Sequence, residues 1–237
     1  MDLLSLVNNQ LQFVKREAKY LAFCLKHSEM RAYIAYSRQI PGWTSYDEAI
    51  ALSKISYGLR PNAVVVELGS FLGGSAVLFA GARKLRGSGI VHCVDPFDTS
   101  GDVYSIPFYR AIAQAQKVSL RRRFDENIHS AGLTPWVQVH QGTADTIAAR
   151  WTEPVDMLFL DGDQSPEGAR AAYESWAPFL KIGGIIALHN SSERQYDLGH
   201  DGHRRLAVET VRPPQYTDIF CIGSTTIARK STETVMA

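Results

Sequence analysis

The chain has 237 residues, with 25 Lys and Arg against 24 Asp and Glu, and 45% of its residues are hydrophobic. This length suits one α/β domain with an N-terminal extension. The net charge of +1 gives no electrostatic basis for binding nucleic acid or an anionic membrane. No apolar run reaches the length of a membrane span, so we expect neither kind of partner.

Cysteine usage and the first residues predict a cytoplasmic protein. Residues 1–10 lack the basic residues and the small-residue cleavage site of a signal peptide. The cysteines, Cys24, Cys93 and Cys221, are far apart and odd in number. Because Cys93 and Cys221 fall inside apolar runs, we expect both to be reduced residues of the core.

Residues 1–60 predict an N-terminal helical extension. Apolar residues between Leu3 and Val14 repeat at helical spacing, and Pro41-Gly42 interrupts the pattern. Thr44 or Ser45 can cap the helix that follows. The extension is either a lid over a ligand, a dimer surface, or a helical layer that completes the core, and the sequence leaves these alternatives open.

Residues 63–75, AVVVELGSFLGGS, predict a buried strand, a glycine-rich turn and a helix. Such a turn lets a ligand approach the main chain closely, and the helix offers free N–H groups. Gly69 and Gly73 do not have the G-x-G-x-x-G spacing of dinucleotide-binding folds, and no Gly-Lys-Ser/Thr of a P-loop follows. Glu67 at the strand end suits a cationic ligand better than a pyrophosphate.

The second predicted strand, residues 90–95, ends on Asp95. A carboxylate at this position can accept hydrogen bonds from both ribose hydroxyls of a nucleotide. Because ligands of open α/β sheets bind at the carboxyl ends of the strands, we expect Glu67 and Asp95 to lie at one site.

A polar loop over residues 96–107 follows, in which Asp98 and Asp102 are candidate substrate or lid contacts. One long helix is predicted over residues 108–132, and residues 136–141 alternate like a strand. The turn after that strand begins at Gly142 and leads into another helix.

Polar residues also end the fourth and fifth predicted strands. The fourth ends in Asp161-Gly162-Asp163-Gln164, and the fifth ends in His189-Asn190. Parallel strands joined by helices bring these ends together.

Further along, His200 and His203 have a possible role on the substrate side. Two alternating runs over residues 216–230 predict an antiparallel hairpin.

The motif E-x-G-x-x-x-G resembles the first motif of the class I S-adenosylmethionine-dependent methyltransferases. Residues 155–190 resemble the small bacterial O-methyltransferases of the macrocin O-methyltransferase type, and are more distantly similar to the caffeoyl-coenzyme A O-methyltransferases. The resemblance covers about residues 60–230. It implies a Rossmann-like, seven-stranded, mostly parallel sheet with an antiparallel C-terminal hairpin. The methyltransferase domain would span residues 61–230, with a tail over residues 231–237.

The resemblance implies S-adenosylmethionine as the cofactor, with Glu67 facing its methionine part, Gly69 and Gly73 framing it, and the turn after the third strand lying against its adenine. The cofactor-binding residues expected in this way are Glu67, Gly69, Ser70, Gly73, Ser75, Asp95, Gly142, Thr143, Ala144 and Asp161.

The chain departs from these relatives at the expected catalytic positions. Gln164 stands where they often carry a histidine base, and His189-Asn190 stands where they often carry an acidic pair that binds magnesium. Mg²⁺ prefers oxygen ligands, so a site formed by Asp161, His189 and Asn190 is open but not favoured. The base would then be His189 or Asp163.

The expected activity is O-methylation of a hydroxyl on a small molecule, a sugar or a natural product, by a homodimer. Two alternatives stay open. A nicotinamide-dependent oxidoreductase is disfavoured by the glycine spacing and by the lack of a Tyr-x-x-x-Lys pair. A catalytically inactive cofactor-binding module on the same fold is compatible with the missing histidine and acids.

Overall fold

The computed structural model describes residues 22–23 and 25–232. The apolar repeat between Leu3 and Val14, Cys24, and tail residues 233–237 lie outside the described part. Within the described ranges, no helix is both long enough and apolar enough to cross a membrane.

Two helices precede the sheet, α1 (Ser28–Ser37) and α2 (Tyr46–Gly58). Ser45 caps α2 as predicted: its Oγ accepts a hydrogen bond from the backbone N–H of Glu48, and Glu48 Oε2 accepts one from the N–H of Ser45. Buried residues of both helices, among them Met30 and Leu52, belong to the hydrophobic core. The described part of the extension is therefore a helical layer against the domain, whereas its role as lid or dimer surface stays a prediction.

The remaining elements alternate between strands and helices. In chain order they are β1 (Val64–Leu68), α3 (Gly74–Arg86), β2 (Ile90–Asp95), α4 (Ile106–Ala115), α5 (Leu120–Ser130), β3 (Val137–Gln141), α6 (Ala144–Ala148), β4 (Val155–Leu160), α7 (Pro166–Trp176), β5 (Leu180–Leu188), α8 (Gly202–Glu209), β6 (Tyr216–Ile222) and β7 (Thr225–Lys230).

The strands form one seven-stranded sheet in the order β3-β2-β1-β4-β5-β7-β6. β1 to β5 are parallel, β7 is antiparallel to β5, and β6 pairs with β7 as a hairpin. The predicted mostly parallel sheet with a C-terminal hairpin is thus confirmed. The chain order reverses between β1 and β4, and this switch point is where open α/β sheets bind ligands.

Helices cover both faces of the sheet and form two cores. On one face α1, α2, α3 and α5 bury residues such as Phe79 and Phe124 against β1 and β4. On the other face α6, α7 and α8 bury Trp176, Tyr173 and Leu206. Because the central strands are covered on both sides, they carry continuous apolar runs instead of alternation.

Two expectations about local structure are wrong. The single helix predicted over residues 108–132 is two helices, α4 and α5, because the chain is extended at Gln116 and Ser119 begins a new helix by accepting a hydrogen bond from Arg122 N. Cys221 is exposed and not in the core, whereas Cys93 is buried. The reason is that Cys221 lies on β6, which pairs only with β7 at the edge of the sheet.

Candidate functional site

A cleft of about 900 Å³ opens at the carboxyl ends of the parallel strands. Its floor consists of the turns that follow β1, β2, β3, β4 and β5. Its walls are residues 41–44 before α2, the loop and first turn of α4 from residue 98 to residue 109, and the segment between β5 and α8. The cleft therefore has a glycine-rich side next to β1 and a wall of aromatic and polar side chains on the opposite side.

The turn after β1 requires glycine at Gly69 for two reasons. Its φ is +86°, which is left-handed, and a Cβ at this position would lie 2.5 Å from the Cα of Gly162 in the turn after β4. The two turns are thus in backbone contact at the switch point. Gly73, with φ +89°, is the N-cap of α3, and Gly74 and Ser75 in the first turn of this helix line the cleft.

Glu67 lies at the end of β1 and is completely buried. Neither of its carboxylate oxygens, nor the buried Oγ of Ser70, makes a hydrogen bond of standard geometry with a described residue. Burial raises the pKa of Glu67 to about 7, although the nearby side chains of Ser70, Ser75 and Cys93 partly oppose this rise. A buried carboxylate with only weak neutral donors nearby costs free energy, so this position fits a ligand that brings a cationic donor.

Asp95 at the end of β2 holds the glycine-rich turn in place. Its Oδ2 accepts hydrogen bonds from the backbone N–H groups of Ser70 and Phe71, at 2.9 and 2.8 Å, and its Oδ1 accepts one from Phe97 N at 2.6 Å. Burial raises the pKa of Asp95. Each carboxylate oxygen can accept more than one hydrogen bond, so Asp95 could also accept hydrogen bonds from ribose hydroxyls. That contact stays a prediction.

Most of the residues expected to bind a cofactor line the cleft, whereas Glu67 and Gly73 lie behind its lining. Gly142, Thr143 and Ala144 line it where β3 passes into α6, and Asp161 lines it after β4. The carbonyl of Ala144 accepts a hydrogen bond from Trp176 Nε1 at 2.9 Å, which fixes the turn to α7.

His189 is buried between two carboxylates. Its Nδ1 donates to Asp161 Oδ1 at 2.6 Å, and its Nε2 lies 3.8 Å from Glu48 Oε1. Burial opposes the protonation of His189, but Asp161 and Glu48 outweigh this effect and raise its pKa. Burial likewise opposes the ionisation of Glu48, but His189 and the hydrogen bonds from Ser45 and Ser224 lower its pKa to about 2.

Glu48 was not among the residues predicted for the site. Its Oε1 accepts hydrogen bonds from Ser224 N, Ser224 Oγ and Thr225 Oγ1 at 2.7–2.8 Å. From the sequence it is only an acid in the first turn of a helix, which favours any helix start. The contact joins residues 176 positions apart, and no local pattern could have indicated it.

The residues considered for magnesium do not fit that ion. Asn190 Oδ1 accepts a hydrogen bond from Arg194 Nη2 at 2.9 Å, and the Oδ1 of Asp161 is bonded to His189. Within residues 22–23 and 25–232, no group of three or more His, Cys, Asp or Glu is arranged to hold a metal. The imidazole of His189 also supplies nitrogen where Mg²⁺ prefers oxygen, and the amide of Asn190 is neutral where related enzymes carry an acid.

Asp163 and Gln164, which follow Asp161, have different surroundings. Asp163 is exposed, and its Oδ1 accepts a hydrogen bond from Ser165 N at 2.9 Å before α7. Gln164 is 3% exposed, and its Nε2 lies 3.4 Å from Asp161 Oδ1. Asp163 therefore lies at the rim of the cleft, and Gln164 supports the carboxylate that holds His189.

A second histidine–carboxylate pair lies on the opposite wall. Asp102 Oδ1 accepts hydrogen bonds from Tyr104 N and Ser105 N and lies 3.1 Å from His200 Nδ1. Burial raises the pKa of Asp102, but hydrogen bonds from His200 and Ser105 outweigh it and lower the pKa to about 2. Both residues were individual candidates from the sequence, but their pairing across 98 positions was not predicted.

Structural comparison finds solved proteins of the same architecture. Cofactor-bound Rv0187 from MTB is 17% identical, with a TM-score of 0.61 over 86% of this chain and 89% of that one. The O-methyltransferase TomG from Streptomyces achromogenes, involved in tomaymycin synthesis and solved with S-adenosylmethionine, is 18% identical, with a TM-score of 0.57 over 86% and 90%. The methyltransferase PaMTH1 from Podospora anserina, solved with S-adenosylhomocysteine, is 14% identical, with a TM-score of 0.58 over 92% and 96%.

The strand order, the glycine-rich turn after β1 and the cleft at the switch point together define a class I methyltransferase fold, as the resemblance implied. A family model described as "Methyltransferase domain" matches residues 66–191, more than half of the 237 residues. The chain belongs to this family of methyltransferase domains.

Proposed function

We propose that the protein is an S-adenosylmethionine-dependent O-methyltransferase that acts on a hydroxyl group of a small molecule. The observation that carries this proposal is the buried, unpartnered carboxylate of Glu67 below the turn that Asp95 holds. A cationic, nucleoside-containing ligand offers an ammonium group for the first carboxylate and ribose hydroxyls for the second. TomG and PaMTH1, which share the fold, were solved with S-adenosylmethionine and S-adenosylhomocysteine, respectively.

Each part of the cleft has a defined task in this proposal. The bound cofactor supplies an electrophilic methyl group on a sulfonium sulfur. Glu67, Ser70 and Ser75 would contact its methionine part, Asp95 its ribose, and residues 142–144 its adenine. Asp161 would border the methyl group and the acceptor. With the methyl group already activated, most of the rate should come from holding the acceptor in line.

The aromatic side chains that line the cleft favour a small molecule as the methyl acceptor. Tyr109 packs against Trp43 and Phe71 with ring centroids 5.5 and 5.1 Å apart. Trp43 and Phe108, which also line the cleft, are 51% and 49% exposed. Aromatic faces next to buried carboxylates are typical of sites for small organic ligands. A sugar acceptor, a homodimer and a cytoplasmic location remain predictions.

Calorimetric titration with S-adenosylhomocysteine tests the cofactor assignment, with NAD as the control ligand. We expect micromolar binding of S-adenosylhomocysteine and no binding of NAD. Asp95→Asn should weaken binding by about 100-fold, roughly 2.7 kcal/mol, because it removes a charged acceptor for the turn and the ribose. Asp125→Asn, a change on the exposed face of α5, should bind like the wild type.

Three results would contradict the proposal in different ways. Binding of NAD alone would favour the oxidoreductase, and binding of neither ligand would refute the roles of Glu67 and Asp95. Binding of S-adenosylhomocysteine without methyl transfer to any hydroxyl in a broad panel of phenols, sugars and alcohols would favour an inactive binding module. The product's methyl position, read by mass spectrometry and NMR, would show whether oxygen is the acceptor atom.

A further inference from the structure

We propose that Asp102 and His200 form the general-base dyad of this enzyme, with His200 Nε2 taking the proton of the acceptor hydroxyl. This inference rests on the proposed function and concerns a residue pair outside the expected base positions, His189 and Asp163. The pair joins the loop before α4 to the segment before α8, on the wall opposite the glycine-rich turn.

The first argument is the orientation of the imidazole. Asp102 is buried, and the backbone N–H groups of Tyr104 and Ser105 fix its carboxylate. The carboxylate lies 3.1 Å from His200 Nδ1 and 98 positions away in sequence. An ionised carboxylate at this distance assigns the ring proton to Nδ1 and leaves the lone pair on Nε2. This is how a histidine base is held in its productive tautomer.

The second argument is that Nε2 of His200 is unpaired in a residue that is 8% exposed at the cleft. His200 lines the cleft, and its Nε2 has no hydrogen-bond partner among the described residues. The ring is held against Tyr104, with centroids 4.7 Å apart, and more loosely by Tyr196 at 6.4 Å. The Oγ of Ser105 lies 3.4 Å from Nδ1, on the side away from Nε2. A fixed ring with one free nitrogen is suited to accept a proton.

The other candidates in the cleft are less suited to this role. His189 has Asp161 on one nitrogen and the Glu48 carboxylate 3.8 Å from the other, so both of its nitrogens face acids instead of an acceptor hydroxyl. His203 Nδ1 donates to the carbonyl oxygen of His189 and has no carboxylate partner on that atom, and burial lowers its pKa to about 4. Asp163 lies exposed at the rim.

The proton and electron balance of the step is complete without a further reactant. The acceptor oxygen forms a bond to the methyl carbon while the S–C bond of the donor breaks and its electron pair stays on sulfur. The hydroxyl proton passes to His200 Nε2, and Asp102 stabilises the resulting imidazolium. The proton then leaves to solvent when the methylated product departs.

The first test separates the base from a structural tether between the two wall segments. In His200→Asn, the side-chain amide can still donate to Asp102 in place of Nδ1, but Nε2 is gone. We expect kcat with the best hydroxyl acceptor of the panel to fall by about 100-fold, with KM and the affinity for S-adenosylhomocysteine unchanged. His200→Ala should behave similarly, and added imidazole should restore part of its rate. His129→Asn on the exposed face of α5 is the control.

A second measurement does not depend on knowing the acceptor. Diethyl pyrocarbonate acylates accessible, unprotonated imidazole nitrogens, and mass spectrometry of the digested protein locates the label. His200 should be labelled in the S-adenosylhomocysteine complex. Failure to label His200 while exposed His129 reacts would overturn the proposal.

Two results with His200→Asn, one kinetic and one from binding, would also overturn the proposal. One is His200→Asn with a rate close to that of the wild type. The other is loss of S-adenosylhomocysteine binding in that variant, which would show that the pair only holds the cleft together. Wild-type protein that binds no S-adenosylhomocysteine would instead refute the proposed function itself, so the two failures are distinguishable.

Discussion

The carboxylate of Glu48 in α2 lies 3.8 Å from Nε2 of His189, at the end of β5. Both side chains are 2% exposed, and the β6–β7 turn supplies three further hydrogen bonds to the same carboxylate oxygen. One buried acid thus connects the N-terminal helical layer, the hairpin and the floor of the cleft. Its ionisation should therefore contribute to stability as well as to the charge of the site.

We expect Glu48→Gln to lower the free energy of unfolding by about 3–4 kcal/mol at pH 7. The pKa of Glu48 falls from its ordinary 4.5 to about 2 in the folded protein, and each unit corresponds to about 1.4 kcal/mol. A lowered pKa stabilises the fold above the unfolded value, and this contribution is lost as the pH falls from about 4.5 towards 2. Urea unfolding at several pH values measures the difference.

Asp47→Asn is the matched control for that change, because Asp47 is exposed in the same helical turn. It should alter the free energy of unfolding by less than about 0.5 kcal/mol. A loss in Glu48→Gln that stays constant down to pH 3, or an equal loss in Asp47→Asn, would show that the Glu48 charge is not the stabilising group.

Glu67 should show the opposite dependence on pH. Burial raises its pKa to about 7, so between pH 4.5 and 7 the folded protein holds a proton that the unfolded chain releases. Stability therefore decreases as the pH rises through this range. Glu67→Gln should raise the free energy of unfolding of the ligand-free protein by about 3–4 kcal/mol at pH 8 and change it little at pH 4.

The same substitution should weaken S-adenosylhomocysteine binding by at least about 10-fold, roughly 1.4 kcal/mol, because the ligand's ammonium group loses its carboxylate. Calorimetry at pH 8 measures this loss beside the gain in stability. A Glu67→Gln protein that is less stable than the wild type at pH 8 would show that the carboxylate does not destabilise the ligand-free fold. A variant that binds S-adenosylhomocysteine as well as the wild type would show that Glu67 does not bind the ammonium group.

The sequence predicted those parts of the molecule that local patterns determine. The apolar run ending in Glu67, the glycine turn and Asp95 predicted both the sheet and the ligand edge, because parallel strands bring their carboxyl ends together. The seven strands and the antiparallel C-terminal hairpin agreed with what the resemblance implied. Ser45 was found as a helix cap because capping depends on residues three positions apart.

What the sequence did not predict depends on long-range contacts. Glu48 meets Ser224, and Asp102 meets His200, only after the chain has folded. The interruption between α4 and α5 was missed although it has a local signal, since Val118 and Ser119 are weak helix formers and Ser119 caps α5. α4 lies over the cleft, and none of its residues is fully buried. Its placement depends on the contact of Tyr109 with Trp43 and on Ile112 and Ala113, which pack against the core while partly exposed.

Magnesium should not change the wild-type protein. Because Asn190 is bonded to Arg194 and Asp161 to His189, we expect the same melting temperature and S-adenosylhomocysteine affinity with MgCl₂ as with EDTA. His189→Asp restores the acidic pair of related enzymes but places a third carboxylate near Asp161 and Glu48. This variant should be destabilised, and Mg²⁺ should raise its melting temperature by relieving the repulsion. An equal rise in the wild type would show a native metal site.

Substitution of Gly69 separates backbone strain from steric exclusion. Gly69 and Gly87 both have positive φ, +86° and +76°, but a Cβ on Gly69 would meet Gly162 at 2.5 Å, whereas nothing lies within 4 Å of one on Gly87. Gly87→Ala should therefore lower the free energy of unfolding by only about 1 kcal/mol, which is the cost of placing alanine in the left-handed conformation. Gly69→Ala must also push apart the turns after β1 and β4, which should raise its cost to about 3 kcal/mol or more.

The two variants should differ more in S-adenosylhomocysteine binding than in their free energies of unfolding. Gly87 lies between α3 and the start of β2, at the end of the strands opposite the cleft, so Gly87→Ala should bind S-adenosylhomocysteine like the wild type. Gly69→Ala displaces the turn that Asp95 holds, and its binding should be lost even where urea titration shows the protein to be folded. Equal unfolding costs in the two variants, or normal binding by Gly69→Ala, would mean that the contact between the two turns does not shape the site.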